Sequence, residues 1–170
     1  MTRADALALL APYVRGEAVV AYAIGNVRRI AKDRSFANVA QELLGSVAES
    51  AETPTRGLGT AWFDFGRAIA LTPTRLIAVG WQRQYTGTFS APVLLAREVT
   101  ELAAHELRSR GVTAAYDKGL FGPFGRVDFD DGPHIIRCEL APLPGDRSNG
   151  AAGYEIARRI EAARGAEPDR

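Results

Sequence analysis

Four cations, Arg28, Arg29, Lys32 and Arg34, fall within seven residues of this sequence. Clustered guanidinium and ammonium groups bind phosphate through charge-assisted hydrogen bonds, so this segment is the candidate anion or lipid-headgroup site. Asp33 weakens its field, and the competing reading is a solvated basic rim. Cys138 has His134 four residues away, an even spacing that puts thiol and imidazole on one face of a strand. Its neighbours Ile135, Ile136 and Leu140 favour instead a small buried apolar residue. The other histidine, His105, is followed by Glu106 but lacks a second His at the spacing of a zinc protease. A metal site joining the histidines to Asp130 or Asp131 would need tertiary coincidence. Residues 128–139 imitate a calcium loop ending in Glu139, but Pro133 stands where the loop needs glycine, and a hairpin turn at Asp131 and Gly132 is the better reading. Residues 119–125 are rich in Gly but lack the Lys-Ser/Thr ending of a phosphate loop, so they read as a connection between strands. Phe121 and Phe124 within it are candidate partner contacts if exposed, or tack the loop to the core if buried. Trp62, Phe63, Phe65, Trp81 and Tyr85 have no basic residues densely interleaved, which favours packing over a nucleic-acid platform. No catalytic, cofactor-binding or metal-binding residue is therefore assigned, and a non-enzymatic chain is expected.

The elements that position these residues fit one domain spanning 1–170. Its 46% hydrophobic and 24% charged residues are those of an ordinary globular chain. A formal net charge of +1 provides no global attraction for nucleic acid, and none is expected as a partner. Only Lys32 and Lys118 are lysines; the arginine bias reads as coding composition rather than function. A single cysteine fits a reducing compartment, hence a cytoplasmic location, and no apolar run is long enough to span a bilayer. A soluble protein is expected.

Residues 1–12 predict an N-terminal helix stopped by Pro12, and residues 18–24 a strand closed by Gly25 and Asn26. The basic residues then fall in the following loop. Phe36, Val39, Ala40, Leu43, Leu44 and Val47 keep the spacing of one apolar helical stripe over 36–49. Phe36, Leu43 and Val47 are candidate partner-binding residues on that helix. Strands are predicted over 61–65, 68–72, 75–79, 112–116, 126–129 and 134–140, with a turn at Pro73 and Thr74. Over 91–109 the abundance of Ala, Leu, Glu and Arg favours helix over strand. The β-rich body thus covers 13–144 with its helical insertion, and a C-terminal helix covers 150–165.

The segment from Ala70 to Val79, with Leu71 and Thr72, a short polar turn, then Arg75 and Leu76, resembles the hairpin of bacterial pleckstrin-homology-like domains. Gly16 and Glu17 are similar to the Gly-Glu that opens that family's first strand. The resemblance implies an α+β chain: an antiparallel β-sandwich or partly open barrel of about seven strands with a C-terminal helix. The helix near 36–49 would be an extra. It also implies a scaffold that binds acidic lipid headgroups by its loops or peptides by a groove and sheet edge, and carries no catalytic residues.

A protein-interaction module with a protein partner of unknown identity is the leading expectation. Peripheral binding to an anionic membrane through Arg28, Arg29, Lys32 and Arg34 is the alternative. A third is an enzyme or small-ligand-binding α+β barrel, for which Asp64, His105 or Asp128 would line a deep pocket. Oligomeric state is left open.

Overall fold

The computed structural model describes residues 2–32, 65–84, 93–120 and 122–166. Helix α1 (Arg3–Val14) is followed by strands β1 (Ala21–Ala31), β2 (Phe65–Leu71), β3 (Arg75–Gln84) and β4 (Val93–Ala103). A 3-10 turn (Ala104–Glu106) leads to β5 (Thr113–Asp117), β6 (Phe124–Asp131), β7 (His134–Leu140) and helix α2 (Ser148–Ala166). The chain is α+β: among the described residues, seven strands form one antiparallel sheet, ordered β4-β3-β2-β1-β7-β6-β5, which does not close. The helix expected at 36–49, with Phe36, Leu43 and Val47, lies outside the described residues, as do Arg34, Asp64 and Phe121.

Strand β1 makes one sheet out of two halves. Residues Ala21 to Gly25 pair with β2, and residues Asn26 to Ala31 pair with β7. The strand does not stop at Gly25 and Asn26, as its turn-like composition suggested; it changes partner there. Gly25 is needed because a Cβ would lie 2.8 Å from Leu140 Cδ2, where the halves converge. Across this bend, Ile69, Leu71, Leu76 and Leu102 of one half share a core with Val127, Phe129, Cys138 and Leu140 of the other. Ile156 and Ile160 of α2 close the same core.

Leaving β2 for β7 strips the first half of β1 of a partner on its β7 side. Fully buried Asn149 fills that place. Its Oδ1 accepts from Ile24 N (2.8 Å), and its Nδ2 donates to Ile24 O (2.9 Å) and Ala141 O (2.7 Å). One side-chain amide thus supplies the donor and acceptor that another strand would have offered. The helix carrying it docks closely: a Cβ on Gly153 would sit 2.4 Å from Leu140 O, and a Cβ on Gly125 2.0 Å from Gly153 O. Any larger residue at either position would push α2 away.

The outer face of the first half is also covered. Ala6, Leu10 and Val14, one stripe of α1 at i, i+4 and i+8, pack on Ile24, Ala68, Ala70, Ile77 and Val79. Strand β2 is therefore buried on both faces. A Thr2–Asp5 capping box starts the helix. It runs past Pro12 to Val14, contrary to the expected stop, because Val14 extends the apolar stripe and Arg75 Nη2 donates to its carbonyl (3.0 Å).

Strand β4 corrects the helix predicted at 91–109. Local propensity there is overridden by pairing with β3 along its full length. The alternation was hard to read because of a bulge: Gly80 pairs with Glu98 and Trp81 with Ala96, so Arg97 is an extra residue. Beyond it the period of two is regular. Leu102 points to the core, while Glu101 bonds Arg75 and Arg15 on the outer side. The C-terminal helix starts at Ser148, two residues before the expected 150, behind a turn with Pro144 and Gly145 (φ 78°) between the paired Leu143 and Asp146.

Two outcomes test this account. Asn149→Ala orphans the two buried backbone groups of Ile24, each costing about 1–3 kcal/mol, and frees the part-buried Ala141 carbonyl, so the expected loss is roughly 2 kcal/mol or more. Denaturant unfolding reads it, and a loss below about 1 kcal/mol would show that water substitutes for the amide. The second outcome concerns Glu17, held at about 2, below its ordinary 4.5, first by the Thr74 hydroxyl, then by Thr72 and Arg75. A depressed carboxylate contributes stability that is complete above its unfolded value and lost as pH falls toward its folded one. The Tm gap between wild type and Glu17→Gln should therefore be full at pH 6 and shrink between pH 4.5 and 2. A gap independent of pH would mean the carboxylate does not titrate in that window.

Candidate functional site

The residues that carried the family resemblance meet one another and form architecture. Arg75 bonds Glu17 through Nε (2.7 Å) and Glu101 through Nη1 (2.5 Å), while Thr74 Oγ1 donates to Glu17 (2.6 Å). Thr72 Oγ1 accepts from Arg75 N (3.0 Å) and closes the β2–β3 turn. This network ties the end of α1, the hairpin and β4 together, and it leaves no cation of the motif available to a ligand.

Among the described residues of the basic segment, Arg28, Arg29 and Lys32 are not gathered into a patch. Arg28 and Arg29 lie inside β1 rather than in a loop; as successive strand residues they point to opposite faces. Arg28 lies 3.8 Å from Glu139, Arg29 bonds Asp131 (2.8 Å), and Lys32 bonds both oxygens of Asp130 (2.6 and 2.7 Å). Exposed pairs of this kind are worth little individually. Their effect here is to place a carboxylate beside each of these three cations. The Lys32 ammonium holds the Asp130 carboxyl below its usual range.

The other sequence candidates also find places. Cys138 is fully buried, and burial pushes its thiol up to about 12, so it is held protonated and unreactive. Asp128 is buried in a two-bond pair with Arg137 (3.1 and 3.0 Å), and His105 is exposed on the 3-10 turn; neither lines the cavity described below. Among the described residues no group of three His, Cys, Asp or Glu side chains could hold a metal. No described helix is long and apolar enough to cross a membrane. Phe124 opens β6 and is 37% exposed. Trp81 is buried on the sheet.

Two features were not foreseen. The first is the contrast between the sheet's edges. Strand β5 is covered by α2: Glu161 accepts from Ala114 N (2.9 Å), and Tyr154 stacks edge-on against Tyr116 (5.1 Å). Strand β4, eleven residues long, has no strand beyond it among the described residues, and Val93 and Val99 are 49% and 39% exposed.

The second is a cavity of about 500 Å3 in the gap where the sheet fails to close. Its walls are the inner face of β4 and the ends of β6 and β7, and residues 108–111 form its rim. Arg67 lies in it with a side chain only 5% exposed, its guanidinium over the Phe129 ring at 5.3 Å. It bonds Glu98 through Nη2 (2.6 Å), although Glu98 itself is 61% exposed. No sequence signal distinguished Arg67, because its burial follows from a sheet that bends far away in the chain. No family model, no curated protein and no solved structure matches this chain.

Proposed function

We propose that this chain is a non-catalytic protein-interaction module of the pleckstrin-homology-like kind, working in the cytoplasm. It takes an extended segment of a partner protein as an eighth strand along β4. The observation that carries this reading is the contrast between β5, closed by α2, and β4, whose outer edge has no strand beside it among the described residues. An unpaired edge presents a row of backbone donors and acceptors, which is the template for strand addition. Main-chain bonds would supply affinity, and Val93 and Val99, which the bulge at Arg97 places on opposite faces of β4, would add one apolar contact on each face of the partner strand. The strand order, with β1 shared between two halves and a C-terminal helix closing the core, supports the family reading. The lone thiol, buried and protonated, is compatible with a reducing compartment. Membrane binding by the basic segment is not favoured, since Arg28, Arg29 and Lys32 each face a carboxylate.

The test is selection of binders from a random-peptide display library, followed by hydrogen exchange of the protein with the tightest peptide. New amide protection over residues 93–103 is expected. Val99→Lys should weaken that peptide about ten-fold, as loss of one buried valine contact of roughly 1.5 kcal/mol implies. Protection confined to β5 and α2, or a selection that yields no binder, overturns the reading.

A further inference from the structure

The cavity beside β4 is separate from the strand's edge and has a chemistry of its own. We propose that it is a binding site for a small organic monocarboxylate whose charged end pairs with Arg67. A buried guanidinium is costly unless its donors are used. Arg67 offers five N–H groups in a fixed fork, yet among the described residues its single hydrogen-bond partner is Glu98, reached through one nitrogen. That partner is the wrong one for permanence, being mostly in water while the guanidinium is not. An incoming carboxylate can take both nitrogens of the fork in a planar, two-bond pair and release Glu98 to solvent. The exchange is one carboxylate for another, so the charge on Arg67 stays compensated.

The rest of the cavity selects the ligand class. Leu102, Phe129 and Ile136 supply an apolar wall for a hydrocarbon body, and the volume suits a small molecule. Arg110 at the rim makes no ion pair among the described residues and adds attraction for an anion. A phosphate dianion is disfavoured, because Glu98, Asp130 and Asp131 also line the space. The last two are already engaged by Lys32 and Arg29. One negative charge fits this balance better than two.

Benzoate and hexanoate serve as probes, with inorganic phosphate and hexylamine as contrasts, followed by NMR of the protein. Saturable shifts at the Arg67 Nε–H and over residues 98–102 and 108–111 are expected from both carboxylates, with none from hexylamine. Phosphate should bind at least ten-fold more weakly; phosphate binding as tight as benzoate overturns the ligand class. Glu98→Gln removes the internal competitor and leaves the guanidinium short of a counter-charge. This variant should melt lower than wild type, bind benzoate about ten-fold tighter, and regain its lost Tm when benzoate is added. Arg67→Met should abolish the shifts. If that variant does not fold, Glu98→Gln decides alone: a Tm that benzoate fails to raise overturns the site. Because these readouts concern the inner face of β4, failure here leaves strand addition at its edge standing, and the converse also holds.

Discussion

The whole architecture depends on three hydrogen bonds made by one buried amide. Strand β1 serves two neighbours in succession, and wherever a strand exchanges partners a stretch of backbone is left facing nothing. Unpaired backbone groups in a core cost as much as lost hydrogen bonds. Asn149 meets that cost at Ile24 with a matched donor and acceptor, and its remaining N–H ties down Ala141 just past β7. The amide is held in place by the close docking of α2, which Gly125 and Gly153 permit. Helix position, sheet bend and core closure are therefore one constraint seen from three sides.

That constraint decides where the molecule is open. Bending at β1 brings β2, β3 and β4 over β5, β6 and β7, but the two edge strands do not meet. On the β5 side α2 lies along the edge and occupies it with Glu161 and Tyr154. On the β4 side neither described helix covers the edge, since α1 packs on the outer face of β1, β2 and β3. The gap between the edges becomes a cavity, and Arg67, an inward-pointing residue of β2, is carried into it by the alternation that buries Ile69 and Leu71. The open edge and the cavity thus have the same origin, a sheet that bends but does not close.

How much of this the residues announce depends on the range of the physics. The Thr72–Arg75 turn, the hairpin at Gly132, the strand over 134–140 and the terminal helix were all readable, because each is set by neighbours a few positions apart. Gly25 and Asn26 carry a genuine signal of irregularity, yet the same composition serves a turn or a bend, and long-range pairing chooses between them. Residues 93–103 failed for a different reason. Arg97 shifts the alternation by one residue, and helix-forming side chains then dominate any local count. Asn149 and Arg67 were beyond reach: a polar residue in a loop-like segment and an arginine in an apolar run look ordinary until the distant backbone they meet is in view. The basic segment shows how spacing in sequence differs from spacing on a strand. Four cations close in sequence suggested one surface, and the pleat of β1 separates Arg28 from Arg29 while acidic residues of β6 and β7 answer them.

An exposed edge of eleven residues would be a hazard if it were flat and greasy, since any extended chain could add to it. Strand β4 is neither. The bulge at Arg97 bends the strand and increases its twist midway, so a straight strand cannot follow it from end to end. Arg97, Glu98 and Glu101 place charge along it, all three engaged internally, by Gln82, by Arg67, and by Arg15 and Arg75 respectively. A second copy of β4 would have to match the same bend in reverse. Such features disfavour indiscriminate pairing, which is how an exposed edge avoids aggregation. The cost of an open β4 edge is thereby limited to the few backbone groups that water satisfies.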